Sequence, residues 1–245
     1  MMTKKRLFYV VYLADPFVQS CLDLIRYLAE WSEKTPAHIT VRGPYDRRLP
    51  AKIEQEIDAT MRGAKVDVLG VSAFLNQHQN TIYLRCSAPE LSHVWYKPNY
   101  PFNPHLTLYD GDDRAFADDL LAGLNSVAGQ FPMTARGVDY IVSIKGERVL
   151  PTTRLSIDLA CKELKINIEK DASKHNLRDV RLSQIFRVYQ ALQNYCGKLN
   201  NSTYITDYDV VRTYQGRRCE TSAVQTPYHV VGRRKSIFLR NAPKV

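Results

Sequence analysis

Residues 37–45 read AHITVRGPY, and residues 103–111 read NPHLTLYDG. Each stretch contains a His-x-Thr tripeptide, at residues 38–40 in the first and at residues 105–107 in the second. Polar and apolar residues alternate through both tripeptides, which is the pattern of a half-buried β-strand. Because strand side chains alternate between two faces, the histidine and threonine of each tripeptide share one face. The two stretches are therefore predicted to be short strands that each present a polar pair.

The chain around these strands repeats a similar order of elements. In each half a His-x-Thr strand is followed by a helix and by further strands, and the two motifs lie about 67 residues apart. The predicted strands are residues 7–13, 37–42, 65–73, 81–86, 105–109, 132–134, 138–144 and 155–159, and the predicted helices are residues 16–32, 50–61 and 113–127. Two related halves predict an α+β, bilobal, pseudo-twofold fold with two antiparallel-rich sheets around a central cleft. In such a fold the two polar faces meet across the cleft.

The polar pairs suit the chemistry of a phosphodiester. Cleavage needs a base that deprotonates the attacking oxygen and an acid that protonates the leaving oxygen. His38 and His105 fit both roles, because histidine has a pKa of about 6.5 and both of its forms are accessible near neutral pH. The hydroxyls of Thr40 and Thr107 can donate to the non-bridging oxygens, where charge builds up in the transition state. This scheme needs neither a metal nor a cofactor.

The paired motifs resemble those of the 2H phosphoesterase superfamily, which includes the 2′-5′ RNA ligase-like proteins and the cyclic phosphodiesterases. The resemblance covers about residues 1–160. It implies a two-lobed hydrolase in which His38 and His105 are the catalytic pair and Thr40 and Thr107 bind phosphate. The implied reaction is metal-independent hydrolysis of a 2′,3′-cyclic phosphate, a 2′-5′ linkage or a cyclic oligonucleotide.

Further substrate contacts are expected near the two motifs. Relatives often carry a basic residue shortly after a His-x-Thr motif; here Arg42 follows the first copy, whereas Tyr109 takes the matching place in the second. Arg42 is a candidate to hold a phosphate, and Tyr109 to stack on a base or donate its hydroxyl. The aromatic stretch before the second motif adds Tyr100 and Phe102 as possible base-stacking residues. Arg42 and Tyr109 are equally well explained as surface residues at a strand end, and at least two aromatics of the stretch are better explained as ordinary core residues.

Other interpretations of the two histidines stay open at this point. Each is explained, taken singly, as a hydrogen-bonded structural residue. Together they are also half of a metal site, but no acidic or cysteine partner stands beside them at ligand spacing. The remaining four histidines have no such sequence context and are interpreted as surface or structural residues: His78, His93, His175 and His229.

The net charge of +9 is concentrated near the C-terminus. Residues 1–160 carry 18 basic and 18 acidic residues, whereas residues 161–245 carry 16 basic and 7 acidic ones. This predicts a neutral phosphoesterase-like domain over residues 1–160 and a basic extension over residues 161–245 that contacts RNA or a protein partner. A merely solvated basic surface explains the charge equally well.

Within the extension, residues 178–196 are predicted to form an amphipathic helix that ends at Gly197. Residues 204–214 and 228–239 are predicted to be strands. A non-catalytic nucleotide- or RNA-binding protein, which uses the cleft together with this extension, is the alternative to an enzyme.

The composition indicates a cytoplasmic protein outside the membrane. The five cysteines are odd in number and form no Cys-x-x-Cys pair, so a disulfide framework or a zinc knuckle is not expected and a reducing compartment fits. No run of 18 apolar residues occurs. Basic residues 4–6 before the apolar residues 7–14 resemble a secretory signal, but the apolar run is short and Tyr12 stands where a small residue is needed. We therefore interpret this segment as the first strand.

Overall fold

A computed structural model describes residues 5–30, 35–77, 79–96, 101–127, 129–144, 154–167 and 177–201. These residues form six strands and six helices. The strands are β1 (Lys5–Leu13), β2 (Ile39–Tyr45), β3 (Lys65–Leu75), β4 (Asn80–Ser87), β5 (His105–Gly111) and β6 (Phe131–Ile144). The helices are α1 (Pro16–Ala29), α2 (Ala51–Met61), α3 (Leu91–Val94), α4 (Arg114–Ser126), α5 (Arg154–Leu164) and α6 (Leu177–Asn201). The predicted α+β class is confirmed.

The six strands form one closed antiparallel sheet in the order β1-β2-β5-β4-β3-β6. Two sheets were predicted from the two related halves, with separate strands at residues 132–134 and 138–144. Instead β6 continues through residues 135–137, pairing with β3 up to Thr134 and with β1 from Ala135 onward. A register shift beside Gly137, whose φ is +139°, lets one strand serve both neighbours. The two His-x-Thr strands, β2 and β5, are adjacent in the sheet.

Helix α1 is the centre of the hydrophobic core. Its residues Leu22, Leu24, Ile25 and Leu28 are fully buried, and it packs against β1, β5, α5 and α6. Aspartate caps the helix, because the Asp15 carboxylate accepts hydrogen bonds from the backbone N–H groups of residues 17 and 18. The helix thus lies against β5, which carries the second motif, and against β1, which neighbours the first motif strand.

The described part of the predicted extension packs against this same core. In α6 the side chains of Ile185, Val188 and Leu192 are fully buried, which confirms the amphipathic helix. Gly197 does not end this helix, which runs on to residue 201. The strands predicted for the extension, residues 204–214 and 228–239, lie outside the described residues.

Residues 155–159 are helical, and the strand predicted there is wrong. The alternating letters LSIDL fit a short strand as well as a helix. In α5, however, Ile157 and Ala160 are both buried, and their spacing of three residues is that of one helix face. The domain boundary predicted between residues 160 and 161 falls inside this helix.

The described helices do not include one that is long and apolar enough to cross a membrane. The four described cysteines are free thiols, and the fifth, Cys219, lies outside the described residues. Burial raises the pKa of Cys86 and of Cys196 to about 12. Both thiols are therefore held in the protonated form near neutral pH.

Candidate active site

Strands β2 and β5 meet at a single backbone pair, in which Ile39 lies opposite Leu106. These are the middle residues of the two His-x-Thr tripeptides. Both side chains are fully buried, whereas the histidine and the threonine of each motif are partly exposed on the opposite face. The alternation predicted from the sequence is thus present in both strands.

This register brings the four polar residues together. Because the strands are antiparallel and Ile39 pairs with Leu106, His38 lies opposite Thr107 and Thr40 lies opposite His105. Directly opposite residues have Cβ atoms about 5 Å apart, and diagonal ones about 7–8 Å. The two histidines are one diagonal of this group and the two threonines are the other. The two imidazoles and the two hydroxyls thus project from one small patch of the sheet.

The two imidazoles are held in the same way. Nδ1 of His38 lies 2.7 Å from the carbonyl oxygen of Pro36, and Nδ1 of His105 lies 2.7 Å from the carbonyl oxygen of Asn103. A carbonyl oxygen only accepts, so each Nδ1 carries the proton and donates it. In the neutral ring the lone pair is therefore on Nε2. Each imidazole can therefore accept or donate a proton at Nε2.

Buried polar side chains of α1 fix the chain just before His38. The Asp23 carboxylate accepts hydrogen bonds from the backbone N–H of Ala37 (2.7 Å), from Gln19 Nε2 (2.9 Å) and from Ser156 Oγ (2.8 Å). Gln19 Nε2 also donates to the carbonyl oxygen of Ala37 at 2.8 Å. Both backbone groups of Ala37 are thus bound by α1, and the next residue is His38.

The same helix reaches the second motif through Arg26. Its guanidinium donates to the backbone carbonyl oxygen of Thr107 at 2.5 Å. Arg26 and Asp23 are both buried, so these contacts are shielded from water. Burial raises the pKa of Asp23 to about 6, against the hydrogen bonds from Ala37, Ser156 and Gln19 and the charge of Arg26, which lower it. The sequence predicts this helix over residues 16–32 but does not show which buried groups its polar side chains bind. The signal for its polar contacts was the helical spacing of residues 19, 23 and 26 among apolar neighbours.

Beside His38 the site is bordered by Tyr12 on β1. The two rings are 6.4 Å apart between centroids and nearly perpendicular. Tyr12 is buried, and its hydroxyl has no hydrogen-bond partner among the described residues. The guanidinium carbon of Arg136 lies 5.2 Å from the centroid of the Tyr12 ring. Burial raises the pKa of the Tyr12 hydroxyl, which stays protonated.

Beside His105 the border is formed by two aromatic rings of β3 and β4. Phe74 and Tyr83 stack with centroids 4.4 Å apart and an interplanar angle of 24°. The centroid of the His105 ring is 5.0 Å from that of Tyr83 and 5.8 Å from that of Phe74. Arg85 pairs with His105 across the sheet and is exposed. These residues were missed from the sequence, although the alternation in TIYLR (residues 81–85) places Tyr83 and Arg85 on one face.

The other residues predicted to contact substrate have different surroundings. Arg42 Nε donates to the carbonyl oxygen of Val94 at 2.5 Å, which ties β2 to α3. The Tyr109 hydroxyl donates to the carbonyl oxygen of Asp113 (3.3 Å) and accepts from its backbone N–H (3.0 Å). Phe102 is 47% exposed. We leave Tyr109 out of the site proposed below, because its hydroxyl already serves the N-terminus of α4.

Two further predictions concern residues near the aromatic stretch and possible metal ligands. Tyr100 lies outside the described residues. The ring of Phe102 packs edge-on against Trp95, with centroids 5.2 Å apart. Within the described ranges, no three histidine, cysteine, aspartate or glutamate side chains are grouped closely enough to hold a metal ion.

Comparisons with known proteins add little to this geometry. No protein-family model and no curated protein matches the chain. The solved structure of Kluyveromyces marxianus Usb1 aligns with 59% of this chain and 96% of that one, at 13% sequence identity and a TM-score of 0.29. A likeness of this strength carries no argument about function, so the assignment depends on the residues themselves.

Proposed function

We propose that this chain is a phosphodiesterase that hydrolyses a nucleotide or RNA phosphodiester with His38 and His105. The observation that carries the proposal is the register of β2 and β5. It sets each histidine opposite the threonine of the other motif on one partly exposed face. Two motifs 67 residues apart in the chain thereby become one four-residue site.

The proton transfers follow from the orientation of the rings. With Nδ1 bound to a carbonyl oxygen, Nε2 of one histidine takes a proton from the attacking water, whose oxygen forms a bond to phosphorus. Nε2 of the other histidine, protonated beforehand, gives its proton to the ribose oxygen as the P–O bond breaks. One proton is taken up and one is released, so the enzyme returns to its starting charge after exchange with water. The two motifs are equivalent in this respect, and either order of roles is consistent with them.

The threonines have a separate role in this mechanism. The hydroxyls of Thr40 and Thr107 donate to the two non-bridging oxygens of the phosphate, which gain negative charge in the transition state. The threonines occupy one diagonal of the four motif residues and the histidines occupy the other. A phosphate bound between the histidines would therefore have one threonine hydroxyl on each of its two remaining sides. All proton donors and acceptors in this scheme are side chains of the chain itself.

The proposed substrates are a 2′,3′-cyclic phosphate, a 2′-5′ linkage and a cyclic oligonucleotide. These share a diester whose leaving group is a ribose oxygen, which needs the proton that a histidine supplies. The two motifs support a pseudo-twofold arrangement around the substrate, because their histidines have matching hydrogen bonds and their strands pair about one central residue of each.

The direct test is hydrolysis in the presence of a chelator. The full chain is incubated with 2′,3′-cyclic nucleotides and with a 2′-5′ dinucleotide in EDTA, and the products are resolved by chromatography. We expect ring-opened or cleaved product, and a loss of about 10²- to 10⁴-fold in rate for His38→Ala and for His105→Ala. His93→Ala, at an exposed histidine of α3, is the matched control and keeps the wild-type rate.

Two outcomes would refute the proposal. Wild-type turnover by either histidine variant shows that the pair is not the catalytic machinery. Tight, salt-sensitive binding of RNA without any product favours the non-catalytic binding protein instead.

A further inference from the structure

The face of the sheet that carries the four motif residues continues onto β4 and β3. Tyr83 pairs with Thr107, and Arg85 pairs with His105. On the next strand Ser72 pairs with Tyr83, and Phe74 lies two residues further along the same face. The aromatic pair and Arg85 therefore form an extension of the site on one side only, beyond His105.

The aromatic pair presents an open ring surface. Phe74 is 43% exposed, whereas Tyr83 beneath it is 5% exposed. Their stacked geometry, at 4.4 Å and 24°, leaves Phe74 as the outer ring of the stack. A planar base that covers Phe74 extends this stack and removes apolar surface from water. Base–aromatic stacking of this kind stabilises nucleic-acid complexes by about 1–3 kcal/mol per base.

Arg85 adds a cation beside the aromatic pair. It is exposed, and its cross-strand partner is His105, so its side chain leaves the sheet next to the imidazole. A guanidinium in this place suits the oxygens of a phosphate, to which arginine donates two parallel hydrogen bonds. A base on Phe74 and a phosphate on Arg85 thus find complementary groups on the same side of the site.

On the opposite side, the described aromatic neighbour of His38 is covered rather than open. Tyr12, the aromatic neighbour of His38, is 3% exposed, and the guanidinium of Arg136 lies 5.2 Å from the centroid of its ring. An incoming base therefore cannot stack on the Tyr12 ring as it can on the Phe74 ring. The open Phe74 ring and the covered Tyr12 ring therefore distinguish the His105 side of the site from the His38 side.

We propose that Phe74, Tyr83 and Arg85 form a nucleotide subsite on the His105 side, in which a base stacks on Phe74 and Arg85 binds its phosphate. This inference rests on the proposed function, because it takes the phosphate between the histidines as its anchor. It specifies that the substrate carries a nucleobase on the ribose nearest His105.

The test is equilibrium binding to the full chain by isothermal titration calorimetry. The probes are uridine 3′-monophosphate and inorganic phosphate, which differ by the nucleoside. Phe74→Ala raises the Kd of the nucleotide by about 5- to 150-fold and leaves that of phosphate unchanged. Phe74→Tyr, which keeps an aromatic ring, restores nucleotide affinity. Arg85→Ala weakens both probes, and Leu177→Ala, at an exposed apolar residue of α6, changes neither.

Each other outcome of this titration overturns the subsite. An unchanged nucleotide affinity in Phe74→Ala shows that no base stacks there. Equal losses for both probes show that the effect is not on the base, and a wild-type chain that binds the nucleotide no better than phosphate has no base subsite at all.

Turnover of a 2′,3′-cyclic nucleotide separates this inference from the proposed function. If both hold, Phe74→Ala raises KM and leaves kcat unchanged. Turnover that needs both histidines but is indifferent to Phe74 keeps the function and refutes the subsite. Absence of turnover, with nucleotide affinity still dependent on Phe74, refutes the function and keeps the subsite.

Discussion

Around His38 the candidate site ends at a tyrosine ring that is 3% exposed, whereas around His105 it ends at a phenylalanine ring that is 43% exposed. Between these borders the two halves match. Each histidine donates from Nδ1 to the carbonyl oxygen two residues before it, at 2.7 Å in both cases, and faces the threonine of the other motif. Under the proposed function, the two halves share proton transfer equally, whereas the proposed nucleotide subsite belongs to the His105 half alone.

Helix α1 holds the two halves by different chemistry. On the His38 side the Asp23 carboxylate and Gln19 bind the backbone of Ala37, and on the other side Arg26 binds the carbonyl oxygen of Thr107. An anion therefore fixes one motif and a cation fixes the other. Since both groups are on one helix, the spacing of the two strands depends on a single rigid element.

The first prediction tests whether the two motifs contribute equally to catalysis. The largest loss of activity in this comparison is expected from substitution of the threonines. Thr40→Ala and Thr107→Ala each remove one donor to the phosphate, and each is expected to lower kcat by about 10²- to 10³-fold. Serine at either position keeps the hydroxyl and most of the activity. The rates are measured on a 2′,3′-cyclic nucleotide, with Thr60→Ala on the exposed face of α2 as control. A large loss of kcat in one threonine variant and none in the other would contradict an equal contribution of the two motifs.

A smaller effect is expected on the free energy of unfolding. It tests the role of Asp23, the acidic group by which α1 binds the His38 side. The pKa of Asp23 is raised by burial from 3.8 to about 6, so the folded protein holds this proton more tightly than the unfolded chain. The contribution of Asp23 to stability is therefore largest at low pH and falls as the pH rises from about 4 to about 6, by about 3 kcal/mol. Urea unfolding across this range is expected to show the fall in the wild type and its absence in Asp23→Asn. An equal fall in both proteins contradicts the assignment to Asp23.

The smallest effect concerns two tyrosine hydroxyls. Tyr12→Phe removes a buried hydroxyl that has no partner among the described residues, so its free energy of unfolding is expected to stay unchanged or rise by up to about 1 kcal/mol. Tyr109→Phe removes two hydrogen bonds to Asp113 and is expected to lose about 1 kcal/mol. Thermal unfolding compares the two variants. A clear loss of stability in Tyr12→Phe shows that its hydroxyl is bound.

The sequence predicts the polar faces of the two strands but not how they meet. Alternation around Ile39 and Leu106 is a local property, so it is visible in the letters. That these two residues lie opposite each other is a long-range fact, set by packing against α1, and no local pattern encodes it. Phe74 is missed from the sequence for the same reason, because its stacking partner Tyr83 lies on the neighbouring strand.

At two other places the local sequence pattern is compatible with more than one structure. Residues 155–159 alternate like a strand, and only the packing of Ile157 and Ala160 on one face shows the helix. Gly197 suggested a helix end because glycine is common after the last turn, yet the helix continues four residues beyond it. Tertiary contacts override local preference at both places.

The most direct test of the central claim is the double variant His38→Ala/His105→Ala, compared with each single variant in kcat/KM on a 2′,3′-cyclic nucleotide. If the two imidazoles act on one phosphorus, each single loss already removes the concerted step, and the double variant is no slower than the slower single variant. If the two single losses multiply in the double variant, the histidines act independently, and the single site built from both motifs is contradicted.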